Sequence, residues 1–160
     1  MLSIRKAAMA DIDLLVKLRL DYLSIDFKFT PEEEIQLVNQ LREYFPKHLD
    51  SERNDFIAGI AEIDGIVAGT AYMMIDERPA NPKGFMTGKT ALILNVLTYP
   101  EYRRKGIATK ILEMLIDEAK KANVAYIELS ASVMGKPVYE KLGFEEKTNS
   151  HYTNMKLKLI

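Results

Sequence analysis

Tyr99-Pro100-Glu101-Tyr102-Arg103-Arg104-Lys105-Gly106-Ile107-Ala108-Thr109 decides how the chain is read. An apolar run, Ala91–Thr98, leads into it, and a segment of helical period, Gly106–Ala122, leads out. The stretch is therefore a strand-to-helix junction. Ile107, Ala108, Ile111, Leu112, Leu115, Ile116 and Ala119 fall on one face of the helix, opposite Lys110, Glu113, Asp117 and Lys120. The first amides of a helix have no internal acceptor and sit at the positive end of its dipole, so they bind anions. Gly106 and Ala108 keep that backbone bare, and Arg103, Arg104 and Lys105 add positive charge. An anion site follows, with a pyrophosphate as a fitting occupant.

Outward from the junction, the pattern is mixed. A short strand is expected at Leu2–Ile4 and a helix from Asp11, with Leu14, Leu15, Leu18 and Tyr22 apolar and Lys17 and Arg19 on the polar side. Thr30-Pro31-Glu32-Glu33 has a capping hydroxyl, a proline at the first helical position and a glutamate three residues after the cap, so a second helix runs to about Tyr44. Capping and the helix dipole account for Glu32, Glu33 and Glu34 without an amine substrate. Asp64-Gly65 joins Phe56–Ile63 to Ile66–Ile75 in a tight hairpin. Arg78–Lys89 is a loop, and Ala91–Thr98 is a central strand buried on both faces. Val124–Ser130 and Tyr152–Ile160 complete the strands, and Pro137–Leu142 forms a short helix closed by Gly143. The expected fold is one α/β domain over residues 1–160, a mixed sheet with helices on both faces.

Composition narrows the function. The chain has 160 residues, 48% of them hydrophobic, and a formal net charge of −1, which gives no general attraction to nucleic acid or an anionic membrane. It has no cysteine, which excludes a disulfide framework, a thiolate zinc site and a cysteine nucleophile. No metal is expected, and His48 and His151 read as structural. Without a secretory leader or a long apolar run, the expected address is cytoplasmic, with no membrane and no nucleic acid as partner.

The junction lacks the Gly-Lys-Ser/Thr of a nucleotide-triphosphate loop and the three glycines of a dinucleotide turn. Arg103-Arg104-Lys105-Gly106-Ile107-Ala108 resembles instead the Arg-x-x-Gly-x-Ala signature of the GNAT superfamily of acetyl-CoA-dependent N-acetyltransferases. Leu94–Tyr102 is similar to that family's central strand and the turn after it. Val138-Tyr139-Glu140-Lys141-Leu142-Gly143-Phe144 is similar to its downstream hallmark.

The resemblance implies a GNAT-type fold: a mostly antiparallel central sheet flanked by helices, with the strands at Ala91–Thr98 and Val124–Ser130 splayed to admit acetyl-CoA. It assigns the CoA pyrophosphate to the amides of Arg104, Lys105, Gly106, Ile107, Ala108 and Thr109, beside Arg103. Val96, Leu97 and Thr98 would offer main-chain groups to the pantetheine arm and thioester. Tyr139 matches the family's acid, which protonates the leaving thiolate. Two positions depart from the pattern. Ser132 stands where many members carry asparagine, and Asn95 where many carry a glutamate base. Glu62 and Glu128, on strands, read as face residues, and proton removal through water is the working expectation. The implied partners are acetyl-CoA and an amine acceptor, with a possible homodimer through Tyr152–Ile160. An acyl-CoA-binding sensor or assembly module without turnover is the alternative, and a thiol-release assay separates the two.

Overall fold

The computed structural model describes residues 1–147 and 151–160. The chain divides into two compact units, Met1–Ser130 and Ala131–Ile160.

The first unit is built on a five-stranded sheet in the order β1-β2-β3-β4-β5. The strands are β1 (Leu2–Lys6), β2 (Phe56–Ile63), β3 (Ile66–Glu77), β4 (Lys89–Thr98) and β5 (Ile127–Glu128). The helices of this unit are α1 (Ile12–Leu23), α2 (Pro31–His48) and α3 (Ile107–Lys121). The first four strands pair antiparallel, and β5 joins β4 in parallel after the crossover through α3. The expected hairpin forms: Asp64 and Gly65 take φ of 50° and 81°, and Ile63 faces Ile66 across the turn. The cap of α2 also forms. Thr30 Oγ1 accepts from the Glu33 amide at 3.2 Å, and the Thr30 amide donates to Glu33 Oε2 at 2.9 Å.

Alternation along β2 sorts the sheet into two faces. On one, Phe56, Ala58 and Ile60 join Tyr72 and Leu97 beneath Leu15, Leu18, Leu41 and Phe45 of α1 and α2. On the other, α3 packs over β2 and β3. A Cβ on Gly59 would stand 2.6 Å from Ile111 Cγ2, and one on Gly69 only 2.7 Å from the Leu97 carbonyl oxygen. These two glycines let a helix and a neighbouring strand approach closer than any side chain permits.

Three expectations change. β4 has strands on both sides but lies next to the edge, and Leu92 is largely exposed on it. The strand expected over Val124–Ser130 shrinks to Ile127–Glu128, because β4 pairs only at Ala91↔Ile127 and Leu92↔Glu128. The strand expected at Tyr152–Ile160 does not form: those residues have no regular structure, and Tyr152, Met155, Leu157 and Leu159 are exposed. Alternating apolar residues make a strand only where a partner edge completes the ladder, and the homodimer contact expected from this stretch loses its basis. Among the described residues the second unit contains one helix, α4 (Lys136–Lys141), with Tyr139 buried in it and edge-to-face on Phe144 at 6.1 Å.

Candidate active site

β4 carries the irregularity that shapes the site. Across from β3, Thr70 pairs with Leu97 and Tyr72 with Leu94, so β4 holds one residue more than its partner over this interval. That is a β-bulge, a device that bends a strand and re-aims its groups. Asn95 absorbs the distortion with φ of 56°, a conformation its short side chain tolerates. Beyond Leu92 the edge of β4 facing β5 has no ladder partner among the described residues, while the strand continues to Thr98. The expected parting of the two strands is thus visible in the pairing. Thr98 Oγ1 and Asn95 Nδ2, both buried, have no hydrogen-bond partner among the described residues.

After Thr98, a 3-10 turn at Pro100–Tyr102 delivers the chain to α3. Arg103 Nε donates to the Thr98 carbonyl at 3.2 Å, closing the turn. Arg104 and Gly106 then adopt left-handed φ of 62° and 72°. Such a backbone is costly for arginine, on the order of 1 kcal/mol, and strain of this kind collects at functional sites. The first backbone bond of α3 runs from the Lys110 amide to the Gly106 carbonyl. Among the described residues, the amides from Arg104 to Thr109 have no such acceptor. No acidic residue lies in the first turn of α3, and a Cβ at Gly106 would meet nothing within 4 Å. Arg103, Arg104 and Lys105 are exposed and form no ion pair among the described residues; the Lys105 ammonium lies 5.4 Å from the centre of the Tyr102 ring. Free amides, an open backbone and unneutralised cations fit a diphosphate.

The ten residues expected to hold the donor, Val96–Thr98 and Arg103–Thr109, therefore lie along one continuous stretch of the first unit. Tyr139 belongs to the second unit. There the Ser132 hydroxyl accepts from the Gly135 amide at 3.1 Å, so this departure from the family's asparagine serves the start of α4.

Glu62 is engaged elsewhere. With Asp11 it holds the Arg5 guanidinium, at 2.9 Å to Glu62 and 2.8 Å to Asp11. Its structural reading stands. His48 is likewise bound to Asp55, at 3.0 Å, and stacked on Tyr44.

Sequence reasoning missed Arg19. It is half-buried, and its Nη1 donates to Asn95 Oδ1 at 3.1 Å. The signal was present: Arg19 lies four residues after Leu15 and three before Tyr22, which places it on the inward side of α1 rather than the polar side. Arg19 also lines a cavity of about 180 Å³ together with Gln40, Leu41, Tyr44, Phe45, Phe56, Tyr72, Met74 and Leu94. Burial raises the pKa of both Tyr44 and Tyr72, and the Arg19 charge works against that rise in each. The Tyr72 hydroxyl is spent on the Leu15 carbonyl at 2.9 Å.

A parted sheet edge, a bulged strand and a helix start with open amides together fit an acyl-carrier-dependent transferase fold. The acetyltransferase (GNAT) family model matches residues 17–144, and the chain belongs to that family. A predicted acetyltransferase from Clostridium acetobutylicum, solved with acetyl-CoA, is 34% identical and superposes with a TM-score of 0.80 over 96% of each chain. Glucosamine 6-phosphate N-acetyltransferase from Arabidopsis thaliana is 27% identical over 131 residues, 81% of this chain and 80% of that one. Ribosomal protein bS18 alanine N-acetyltransferase from Escherichia coli (strain K12) is 41% identical over 61 residues. That match spans 36% of this chain and 41% of the relative's length.

Proposed function

We propose that the protein transfers the acetyl group of acetyl-CoA to a primary amine by direct attack in a ternary complex. The observation that carries this reading is the run of amides from Arg104 to Thr109 without backbone acceptors among the described residues, continuous with the edge of β4 that has no ladder partner among them. The amides take the diphosphate, and main-chain groups of Val96, Leu97 and Thr98 take the pantetheine arm and thioester. The neutral amine attacks the thioester carbon, the tetrahedral oxyanion collapses, and the carbon–sulfur bond breaks. Tyr139 hydrogen-bonds the departing sulfur and passes it the phenolic proton, and the proton lost by the amine travels through water and restores the phenol. A phenol has an ordinary pKa of about 10 and a thiol one of about 8.5, so Tyr139 acts chiefly by hydrogen bonding as charge grows on sulfur.

Two measurements test the reading together. Calorimetry with CoA and acetyl-CoA should show one site per chain, and an amine should release free thiol from acetyl-CoA. Tyr139→Phe should lower kcat by roughly 100-fold while leaving acetyl-CoA affinity within about twofold. Absence of CoA binding removes the whole reading. Tight binding with no amine-dependent release leaves a CoA-binding module, and an unchanged kcat in Tyr139→Phe removes the acid.

A further inference from the structure

The cavity beneath α2 has walls and a charge that together describe a ligand. Tyr44, Phe45, Phe56, Tyr72 and Leu94 make it apolar, and Arg19 supplies its positive group. Among the described residues no carboxylate pairs with Arg19. Its contacts are the neutral amide oxygen of Asn95 at 3.1 Å and the face of the Tyr22 ring at 6.0 Å. A guanidinium has five donors, and half-burying one without an anion is unfavourable. The carboxylate two residues further along α1, Asp21, is already held by Lys17 at 2.5 Å. A second observation points the same way: Asn95, 1% exposed, accepts from Arg19 through Oδ1 but leaves Nδ2 without a partner among the described residues.

Shape limits the ligand further. A cavity of about 180 Å³ compares with the roughly 150 Å³ that accommodates a benzene ring. It thus takes one branched aliphatic or aromatic side group. A sugar ring would strand hydroxyls against aromatic walls, at a cost of roughly 1–3 kcal/mol each. A phosphate dianion calls for more than one free cation, and the cavity has only Arg19 among its lining residues. A carboxylate matches a single guanidinium fork. Leu94 lines the cavity, and Asn95 and Val96 follow it on the bulge, so the same strand borders this cavity and carries the residues assigned to the thioester.

We propose that this cavity selects the acceptor, and that the acceptor is a free α-amino acid with an apolar side chain, its carboxylate on Arg19 and its side chain among the aromatic rings. The proposal rests on the acetyl-transfer reading above and names its substrate class.

The test compares acceptors that differ in one group. L-Phenylalanine and L-leucine are set against L-phenylalaninamide, phenethylamine, spermidine and glucosamine 6-phosphate in the thiol-release assay. The expected kcat/KM for L-phenylalanine exceeds that for its amide by about 10- to 100-fold. In Arg19→Gln that ratio falls to about one, and in Arg19→Lys it is partly kept. Acetyl-CoA affinity and the thermal midpoint report whether each variant is folded. Calorimetric titration of L-phenylalanine into the CoA-saturated protein reads the cavity without turnover. An equal rate for acid and amide, a preference that survives Arg19→Gln, or no binding of L-phenylalanine overturns the inference. Turnover of spermidine or the amino sugar phosphate in its place would refute the substrate class while leaving acetyl transfer intact, whereas loss of CoA binding would refute the transferase reading itself.

Discussion

The two faces of the sheet are made from opposite materials. Above β2 and β3, the α3 face closes on Gly59 and Gly69, and α3 opens on Gly106 with a left-handed Arg104 before it. In the proposed reading, recognition there uses the backbone, through small residues and unusual φ angles. Below the sheet, the α1 and α2 face is a knot of aromatic rings. Phe45, Phe56 and Tyr72 meet pairwise at 5.5 to 5.8 Å, and Tyr44 joins Phe45 and Phe56 at similar spacing. In the same reading, selection on that side belongs to side chains. A side-chain pocket is rebuilt whenever the acceptor changes, which fits relatives named for acceptors as different as a ribosomal protein and an amino sugar phosphate.

Removing a ring should strike the aromatic face hardest. Phe45 is 1% exposed and touches three other rings. Phe45→Ala should cost about 3–5 kcal/mol by losing burial and leaving a void, which lowers the thermal midpoint by on the order of 10 °C. The measurement is calorimetric unfolding. A drop of only a degree or two would mean the cluster is not a rigid wall.

On the glycine face the expected damage is smaller but falls on binding as well. Gly69→Ala places a methyl 2.7 Å from the Leu97 carbonyl oxygen, a backbone atom that cannot rotate away. The strain should amount to about 1–3 kcal/mol, and shifting Leu97 should weaken acetyl-CoA by several fold in calorimetry. Gly106→Ala meets open space, so its cost is the left-handed φ alone, about 1 kcal/mol. The new methyl stands where the diphosphate is expected, and acetyl-CoA affinity should fall about tenfold. If Gly106→Ala loses stability but binds acetyl-CoA normally, the helix start is not the donor site.

How much of this was legible in the sequence follows from the same contrast. The geometry of the junction from Tyr99 to Thr109 could be read directly, because contiguous residue types dictate its turn and helix start. The Asp64-Gly65 turn and the Thr30 cap were equally local. The cavity was not legible: Arg19, Tyr44, Phe56, Tyr72 and Leu94 come from five elements and meet only after folding. The bulge at Asn95 was also hidden, since a strand's register against its partner is not written in either strand alone. Tyr152–Ile160 failed for the converse reason: alternation alone does not make a strand, and these residues enter no ladder among the described residues.

A side-chain contact between the anion motif and α1 yields the smallest expected effect. Tyr99, first residue of the anion motif, donates its hydroxyl to Asp21 of α1 at 2.5 Å, and Lys17 holds the same carboxylate. Burial works against the Asp21 charge, but the bonds from Lys17 and Tyr99 outweigh it and leave its pKa below the usual value. Burial and then the Asp21 bond raise the pKa of Tyr99. The signs are opposite. A depressed carboxylate stabilises the fold above its unfolded pKa of about 4 and loses that contribution as pH falls through the lower folded value. A raised phenol stabilises it below about pH 10 and loses that contribution as pH climbs through the higher folded value. The coupling between Tyr99→Phe and Asp21→Asn should therefore be flat from about pH 5 to 9 and vanish in strong acid. Asp21 is partly exposed, so the double-mutant coupling should be only about 1 kcal/mol or less. Urea unfolding of the four proteins across pH measures it. A coupling of the same size at pH 2 would show that the pair is held by packing rather than by charge, and would separate the two faces into independent structures.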